Sequence, residues 1–275
     1  MPLFTPDEKE MADRLAAHTP LVIMGRGHSG TRLLTWACVK LGLNLGTDDD
    51  LATADVDPRF SRRIKKIAIR NLGVTDPAEA SEKSLRRFRH AVSTYHANLG
   101  SPANHWGWKF PETYLIGPYV ELTFPQAKYI HMVRDGRDLS YKEHLTDDPT
   151  RKLGRKLLQK IGAYDDPHYL QAARSWAWQV EQFEEFRRHV DPARMLELRF
   201  EDLCLDPDKT MARVCEFLDM PMTADCQAVL DGINRKKVSE FQRHPAEEIA
   251  QIERAAGDVL SRWHYPLVSQ VTGKG

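Results

Sequence analysis

The residues richest in chemical possibility are seven in a row, Gly25-Arg26-Gly27-His28-Ser29-Gly30-Thr31. They follow a short apolar run, Leu21-Val22-Ile23-Met24, and precede apolar positions Leu33, Leu34, Ala37, Cys38 and Leu41 at helical spacing, which predicts strand, glycine turn, helix. In that setting successive backbone N–H groups and the positive end of the helix dipole converge on one small volume, and an anion can sit there without a dedicated charge. The spacing is that of a phosphate-binding loop. The Lys that a nucleotide triphosphatase needs before Ser or Thr is missing, because Gly30 is followed directly by Thr31, and this argues against ATP or GTP hydrolysis. A second anion signal is Val133-Arg134-Asp135-Gly136-Arg137-Asp138, followed by a helix-compatible stretch with Ser140, Lys142 and His144. Arg134 at a strand end can make a bidentate contact to a phosphate, and a polar or cationic group on the next helix can close the other side. Two anion sites on neighbouring strand ends point to a ligand phosphorylated at two separate places.

Such groups need a sheet to position them. Besides Leu21–Met24, the sequence offers three buried-strand candidates: Trp106 to Phe110, closed by Pro111; Ala127 to Val133; and Met195 to Phe200. Helical patterns separate them, so the expected class is α/β, a parallel β-sheet flanked by helices. Core-facing stripes are Leu170, Ala173, Trp176, Ala177, Val180 and Phe183 after Asp166-Pro167, and Ile249, Ile252, Ala256, Val259 and Leu260 after Pro245 at a first turn. With no internal repeat or low-complexity segment, residues 1–275 are expected to form one domain. A helical insertion over about 48–105 carries an acidic tip, Asp48-Asp49-Asp50, and basic stretches at Arg59 to Arg70 and Arg86 to His90. Its place beside the glycine turn suits part of an acceptor pocket.

Composition narrows the function classes. The 275 residues include 39 Lys or Arg and 39 Asp or Glu, a formal net charge of zero, so bulk binding to a nucleic acid polymer or an anionic membrane has no support. The amino terminus is acidic where a secretory signal would be basic and then apolar, and no apolar run approaches the roughly 20 residues of a membrane span, so a cytoplasmic protein is expected. Cys38, Cys204, Cys215 and Cys226 lack CxxC spacing and read as reduced core residues. No histidine shows metal-ligand spacing; His28, His131 and His144 fall on different elements, and no metal is expected. The basic stretches, with Arg151, Lys152, Arg155 and Lys156, read as solvated helix faces.

The loop GRGHSGTRLL, the strand and turn YIHMVRDGRD, and the segment LRFEDLCLDPDKTMARVCEFL together resemble the sulfotransferases that use 3'-phosphoadenosine 5'-phosphosulfate (PAPS), from about Leu21 to about Tyr265. The resemblance implies a parallel-sheet P-loop fold related to nucleotide kinases. It further implies that the first loop, over Arg26, Gly27, His28, Ser29, Gly30, Thr31 and Arg32, holds the 5'-phosphosulfate, and that Arg134 holds the 3'-phosphate. Ser140 or Lys142 would assist Arg134, Phe200 would pack on the adenine, and Arg235 and Lys236 would complete the 3'-phosphate site. The chain departs from the family pattern at His28, where most members carry Lys or Arg, at Lys142, where a serine is usual, and at Leu33, where an aromatic residue often stacks on the base.

Sulfuryl transfer needs positioning, a cation near the leaving oxygen, and often a base for the acceptor proton. His28 is the expected cation, with Lys109 of Trp106-Gly107-Trp108-Lys109-Phe110-Pro111 as a second donor, a Lys and Pro placement that also resembles the family. Asp48 is the expected base, with Glu112 and His144 as further candidates. The expected partners are PAPS, its product adenosine 3',5'-bisphosphate (PAP), and a carbohydrate or small-metabolite acceptor with a hydroxyl or amine. The competing readings are a nucleotide or sugar kinase on the same fold, and a catalytically silent nucleotide-binding protein.

Overall fold

The computed structural model describes residues 6–46, 57–99 and 105–268. Four strands, β1 (Leu21–Met24), β2 (Gly107–Lys109), β3 (Lys128–Val133) and β4 (Met195–Arg199), form an all-parallel sheet in the order β2-β1-β3-β4. Leu21 to Met24 is apolar at every position because both faces of β1 are covered. Val22 and Met24 join a core with Trp108, Phe60, Phe88 and Phe183, whereas Leu21 and Ile23 join the opposite one with Leu34, Ile130, Met132 and Val214.

Among the described residues the α-helices are α1 (Pro6–Ala16), α2 (Thr31–Lys40), α3 (Pro58–Arg70), α4 (Glu82–Asn98), α5 (Gly117–Glu121), α6 (Gly136–Leu139), α7 (Lys152–Lys160), α8 (His168–Arg187), α9 (Phe200–Leu205), α10 (Pro207–Leu218), α11 (Ala224–Asp231) and α12 (Ala246–Arg262). On one side of the sheet α3, α4 and α8 supply Phe60, Ile64, Phe88, Val92, Phe183 and Phe186; on the other, α2, α10 and α11 supply Leu34, Cys38, Met211, Val214 and Cys226. All four cysteines are buried and unbridged, and all four pack in this second core beside Leu34 and Val214. A third cluster seats α12 on α8 through Val180, Trp176, Ala256, Val259 and Leu260. Among the described residues no helix is long and apolar enough to cross a membrane.

The strand and helix expectations agree with this architecture to within a residue or two, and Pro245 caps α12 from the position just before it. The stretch after Arg134 differs. Instead of one helix through His144, α6 ends at Leu139. Two carbonyls that a continuing helix would use are taken by the glycine loop: the Lys142 carbonyl accepts from Arg26 and the Glu143 carbonyl meets His28 Nε2.

The sheet order places a functional crevice. From β1 the chain crosses to β2 on one side, and from β3 it crosses to β4 on the other, so the carboxyl ends of β1 and β3 diverge. In open parallel sheets that divergence is where ligands sit. Both sequence-derived anion elements leave the sheet there.

Candidate active site

The glycine loop runs from β1 into α2, whose first-turn amides have no carbonyl partner within their own helix, as in any α-helix. Gly30, the residue before α2, has φ 87°, a left-handed backbone suited to glycine. His28 adopts the same region at φ 69°, an uncommon conformation for a side-chain-bearing residue that clusters at functional sites. It is held there from two directions. Its carbonyl accepts from Arg134 Nη1 at 3.3 Å, and its Nε2 lies 3.0 Å from the Glu143 carbonyl.

Two rings press on the loop from below. A Cβ on Gly27 would lie 2.2 Å from His144 Nε2, and one on Gly30 would lie 2.2 Å from Phe200 Cδ2, so glycine is required at both for packing. Phe200 is buried, and the Arg134 guanidinium lies 4.5 Å above its ring. The ring expected to pack on adenine is thus engaged with Gly30 and Arg134. His144 has both nitrogens engaged: Nδ1 lies 2.8 Å from Thr146 Oγ1, and Nε2 lies 3.5 Å from Glu112 Oε1. Burial, then the charges of Arg26 and His28, holds its imidazole well below the usual histidine range, so it is neutral at neutral pH.

Arg26 points into the protein. Its guanidinium donates to Asp147 Oδ2 at 2.5 Å, to the Gly27 carbonyl at 3.0 Å and to the Lys142 carbonyl at 3.2 Å, and both ionic partners are buried. Burial pushes the Asp147 carboxyl up, against the pull of Arg26. The pair ties the glycine loop to the segment following α6. His28 is exposed, and burial of part of its ring followed by the Arg26 charge lowers its pKa.

Arg134 is the hub of the second element. Besides the His28 carbonyl, it reaches Asp138 Oδ2 at 2.9 Å, the Lys237 carbonyl at 2.7 Å and Glu240 Oε2 at 3.3 Å. Ser140 is fully buried and its hydroxyl donates to the Gly136 carbonyl at 2.7 Å, whereas Lys142 Nζ lies 3.3 Å from Glu240 Oε2 on the same side as Arg134. The turn itself is braced by buried charge. Asp135 pairs with Arg137, Arg137 pairs with Glu253 of α12, and Glu201 accepts from the Asp135 amide and from the Tyr265 hydroxyl.

Lys109 ends β2, is buried, and is paired in register with Ile23, two residues ahead of Gly25. Arg235 and Lys236 are exposed in a short 3-10 turn, while their neighbour Lys237 supplies the carbonyl to Arg134 and an ammonium 3.6 Å from Glu240. Thr31 is buried at the start of α2, and its carbonyl accepts from Thr35. Arg32 follows it, exposed, in the first turn. Asp48 lies outside the described residues. Among the described residues no group of His, Cys, Asp and Glu is arranged to hold a metal ion.

The arrangement fits a ligand with two anionic groups. The Ser29 hydroxyl and Arg134 Nε are buried with no hydrogen-bond partner among the described residues, one in each anion element, and the Arg134 to His28 bond joins those elements directly. Beyond His144 and Glu143 opens a cavity of about 800 Å³, lined also by Lys65 of α3, Asp148, Arg151, Lys152 and His168. Three cations assigned from the sequence to solvated faces thus surround one cavity. Asp147, Glu201 and Glu240 were not singled out by sequence, since each acts on a residue distant in the chain and no spacing rule reports it.

Comparison with known proteins adds a family. A protein-tyrosine sulfotransferase of Drosophila melanogaster is 26% identical over 211 residues, covering 76% of this chain and 37% of the relative. Protein-tyrosine sulfotransferase 1 of Danio rerio is 28% identical over 211 residues, covering 76% of this chain and 52% of the relative. The chain therefore spans no more than about half the length of these curated relatives. The solved sulfotransferase domain from the curacin biosynthetic pathway superimposes with a TM-score of 0.55 at 14% identity, over 91% of this chain and 99% of that one, and shares the fold. The model of the sulfotransferase family matches residues 20–224, well over half of the sequence, and the chain belongs to that family.

Proposed function

We propose that the protein transfers the sulfuryl group of PAPS to a hydroxyl or amine of a carbohydrate or small-metabolite acceptor lying in the cavity beside His144. The observation that carries this reading is the direct bond from Arg134 to the loop carbonyl of His28, which joins two anion-binding elements at the divergence of β1 and β3. That spacing suits a donor with a 5'-phosphosulfate on the glycine loop and a 3'-phosphate near Arg134.

In the reaction a bond forms from the acceptor oxygen or nitrogen to sulfur as the bond from sulfur to the bridging phosphate oxygen breaks. PAP leaves, and the acceptor proton passes to a base, for which Asp48 is the proposed residue. The α2 amides with Ser29 and Thr31 hold the phosphosulfate, while Lys109 and a protonated His28 neutralise charge growing on the leaving oxygen. A phosphosulfate beside His28 counters the burial and the Arg26 charge that lower its pKa, and so favours the imidazolium. His144, with both nitrogens engaged, is a wedge under Gly27 rather than the base.

The test is transfer of a labelled sulfuryl group from PAPS, in metal-free buffer, to sugars, small alcohols, amines and a tyrosine peptide. The expected result is labelled sugar or small metabolite, reduced about 100-fold or more in both Lys109→Ala and His28→Ala without loss of folding. Labelling of the tyrosine peptide alone would replace the acceptor class with the one named for the relatives. No transfer to any acceptor, with intact PAPS binding, would contradict the catalytic reading.

A further inference from the structure

Among the described residues, Glu240 is the one acidic residue that pairs with both Arg134 and Lys142. It begins a 3-10 turn, Glu240–Arg243, directly after Ser239, whose left-handed backbone (φ 59°) turns the chain back toward Arg134. Its Oε2 lies 3.3 Å from Arg134 Nη2 and 3.3 Å from Lys142 Nζ, and its Oε1 lies 3.6 Å from Lys237 Nζ. Three cations from three different segments thus meet on one carboxylate. The surrounding chain is clipped in place on either side of it. The Lys237 carbonyl accepts from Arg134 at 2.7 Å, and the Phe241 amide donates to Asp138 Oδ1 at 2.8 Å. Phe241 itself is buried beneath the Arg137 guanidinium.

A carboxylate among Arg134, Lys142 and Lys237 satisfies the charge that a phosphate dianion would satisfy, and with the same kind of oxygen acceptor. A phosphate approaching Arg134 and Lys142 meets the Glu240 carboxylate already seated on both, and the two like charges repel. We propose that Glu240 is an internal counter-anion that competes with the donor's 3'-phosphate for Arg134 and Lys142 and thereby sets the affinity for PAPS and PAP. The proposal rests on the reading of Arg134 as the 3'-phosphate residue. Asp138 plays a different part: it is fully buried, bonded to Arg134 and to the Phe241 amide, and stays as the fixed partner while Glu240, at the edge of the site, yields.

Calorimetric titration of PAP and of ADP, which lacks a 3'-phosphate, into the wild-type chain, Glu240→Gln and Glu240→Asp separates the possibilities. The expected result is PAP binding at least fivefold tighter in Glu240→Gln than in the wild type, with ADP affinity unchanged. Glu240→Asp, whose shorter side chain withdraws the carboxylate, changes in the same direction and serves if the amide variant folds poorly. PAP binding in both variants that is equal to or weaker than in the wild type would overturn the role of Glu240 while leaving the donor site standing. Failure of all three proteins to prefer PAP over ADP would overturn the reading of Arg134, and the competition with it.

Discussion

Arg26 and Arg134 stand at opposite ends of legibility. Both were expected to touch the donor because of where they sit in their motifs, and both are buried, yet Arg26 is turned inward onto Asp147 while Arg134 lies between the His28 loop carbonyl and the Glu240 carboxylate. Sequence position identifies an arginine beside a glycine loop but says nothing of which way the guanidinium turns; the acid that turns it, Asp147, is 121 residues away. The buried pair makes a sharp stability prediction. Asp147→Ala leaves a buried guanidinium without its counter-charge and is expected to cost about 3–5 kcal/mol, read as a lowered denaturation midpoint in urea. The double variant Arg26→Met with Asp147→Leu, which removes both charges, should recover most of that loss. Equal destabilisation by the single and double variants would show that the ion pair is not what ties the loop to the segment after α6.

At the scale of elements, the strands and the long helices were readable from their apolar patterns: β1 is a short continuous apolar run buried on both faces, and α8 and α12 carry stripes at helical spacing. The early end of α6 was not readable, because the groups that stop it are loop side chains that claim the carbonyls of Lys142 and Glu143. The glycine loop owes its shape to the same tertiary contacts. A methyl group at residue 27 would meet the His144 ring, so Gly27→Ala is expected to lose donor binding and about 1–3 kcal/mol of stability. His144→Ala in the same chain removes the obstructing ring and should restore part of both. Donor titration and thermal unfolding of the single and double variants check this, and a double variant no better than Gly27→Ala would contradict the wedge.

For the whole molecule, the helices covering the sheet on both faces bury histidines as well as hydrocarbon. His131 stacks on Phe183 at 3.7 Å between ring centroids and is buried, and burial lowers its pKa as it lowers that of His144. The unfolded chain takes up protons near pH 6.5 that these folded imidazoles do not bind, so their contribution to stability is present above about pH 6.5 and is lost as pH falls toward the folded values. Each such histidine contributes a slope of at most about 1.4 kcal/mol per pH unit in that window. Burial raises the carboxyls of Asp138, Asp147 and Glu201, and these act in the opposite sense, gaining stability as pH falls from their folded toward their unfolded values. A comparison within one window therefore isolates the histidine effect: between pH 7.5 and 5.5 the urea midpoint of His131→Gln should vary less than that of the wild type. An identical pH dependence in the two proteins would remove His131 from the account.

The central claim is that one ligand with two anionic ends bridges the glycine loop and Arg134. Its most direct measurement is calorimetric binding of PAP against ADP, in metal-free buffer, to the wild-type chain and to Arg134→Ala. The account predicts that the wild type binds PAP at least tenfold more tightly than ADP, and that Arg134→Ala weakens PAP by about 10- to 100-fold while leaving ADP nearly unchanged, so that the preference disappears. Equal affinity of the wild type for PAP and ADP, or a loss of the same size for both ligands in the variant, would contradict it.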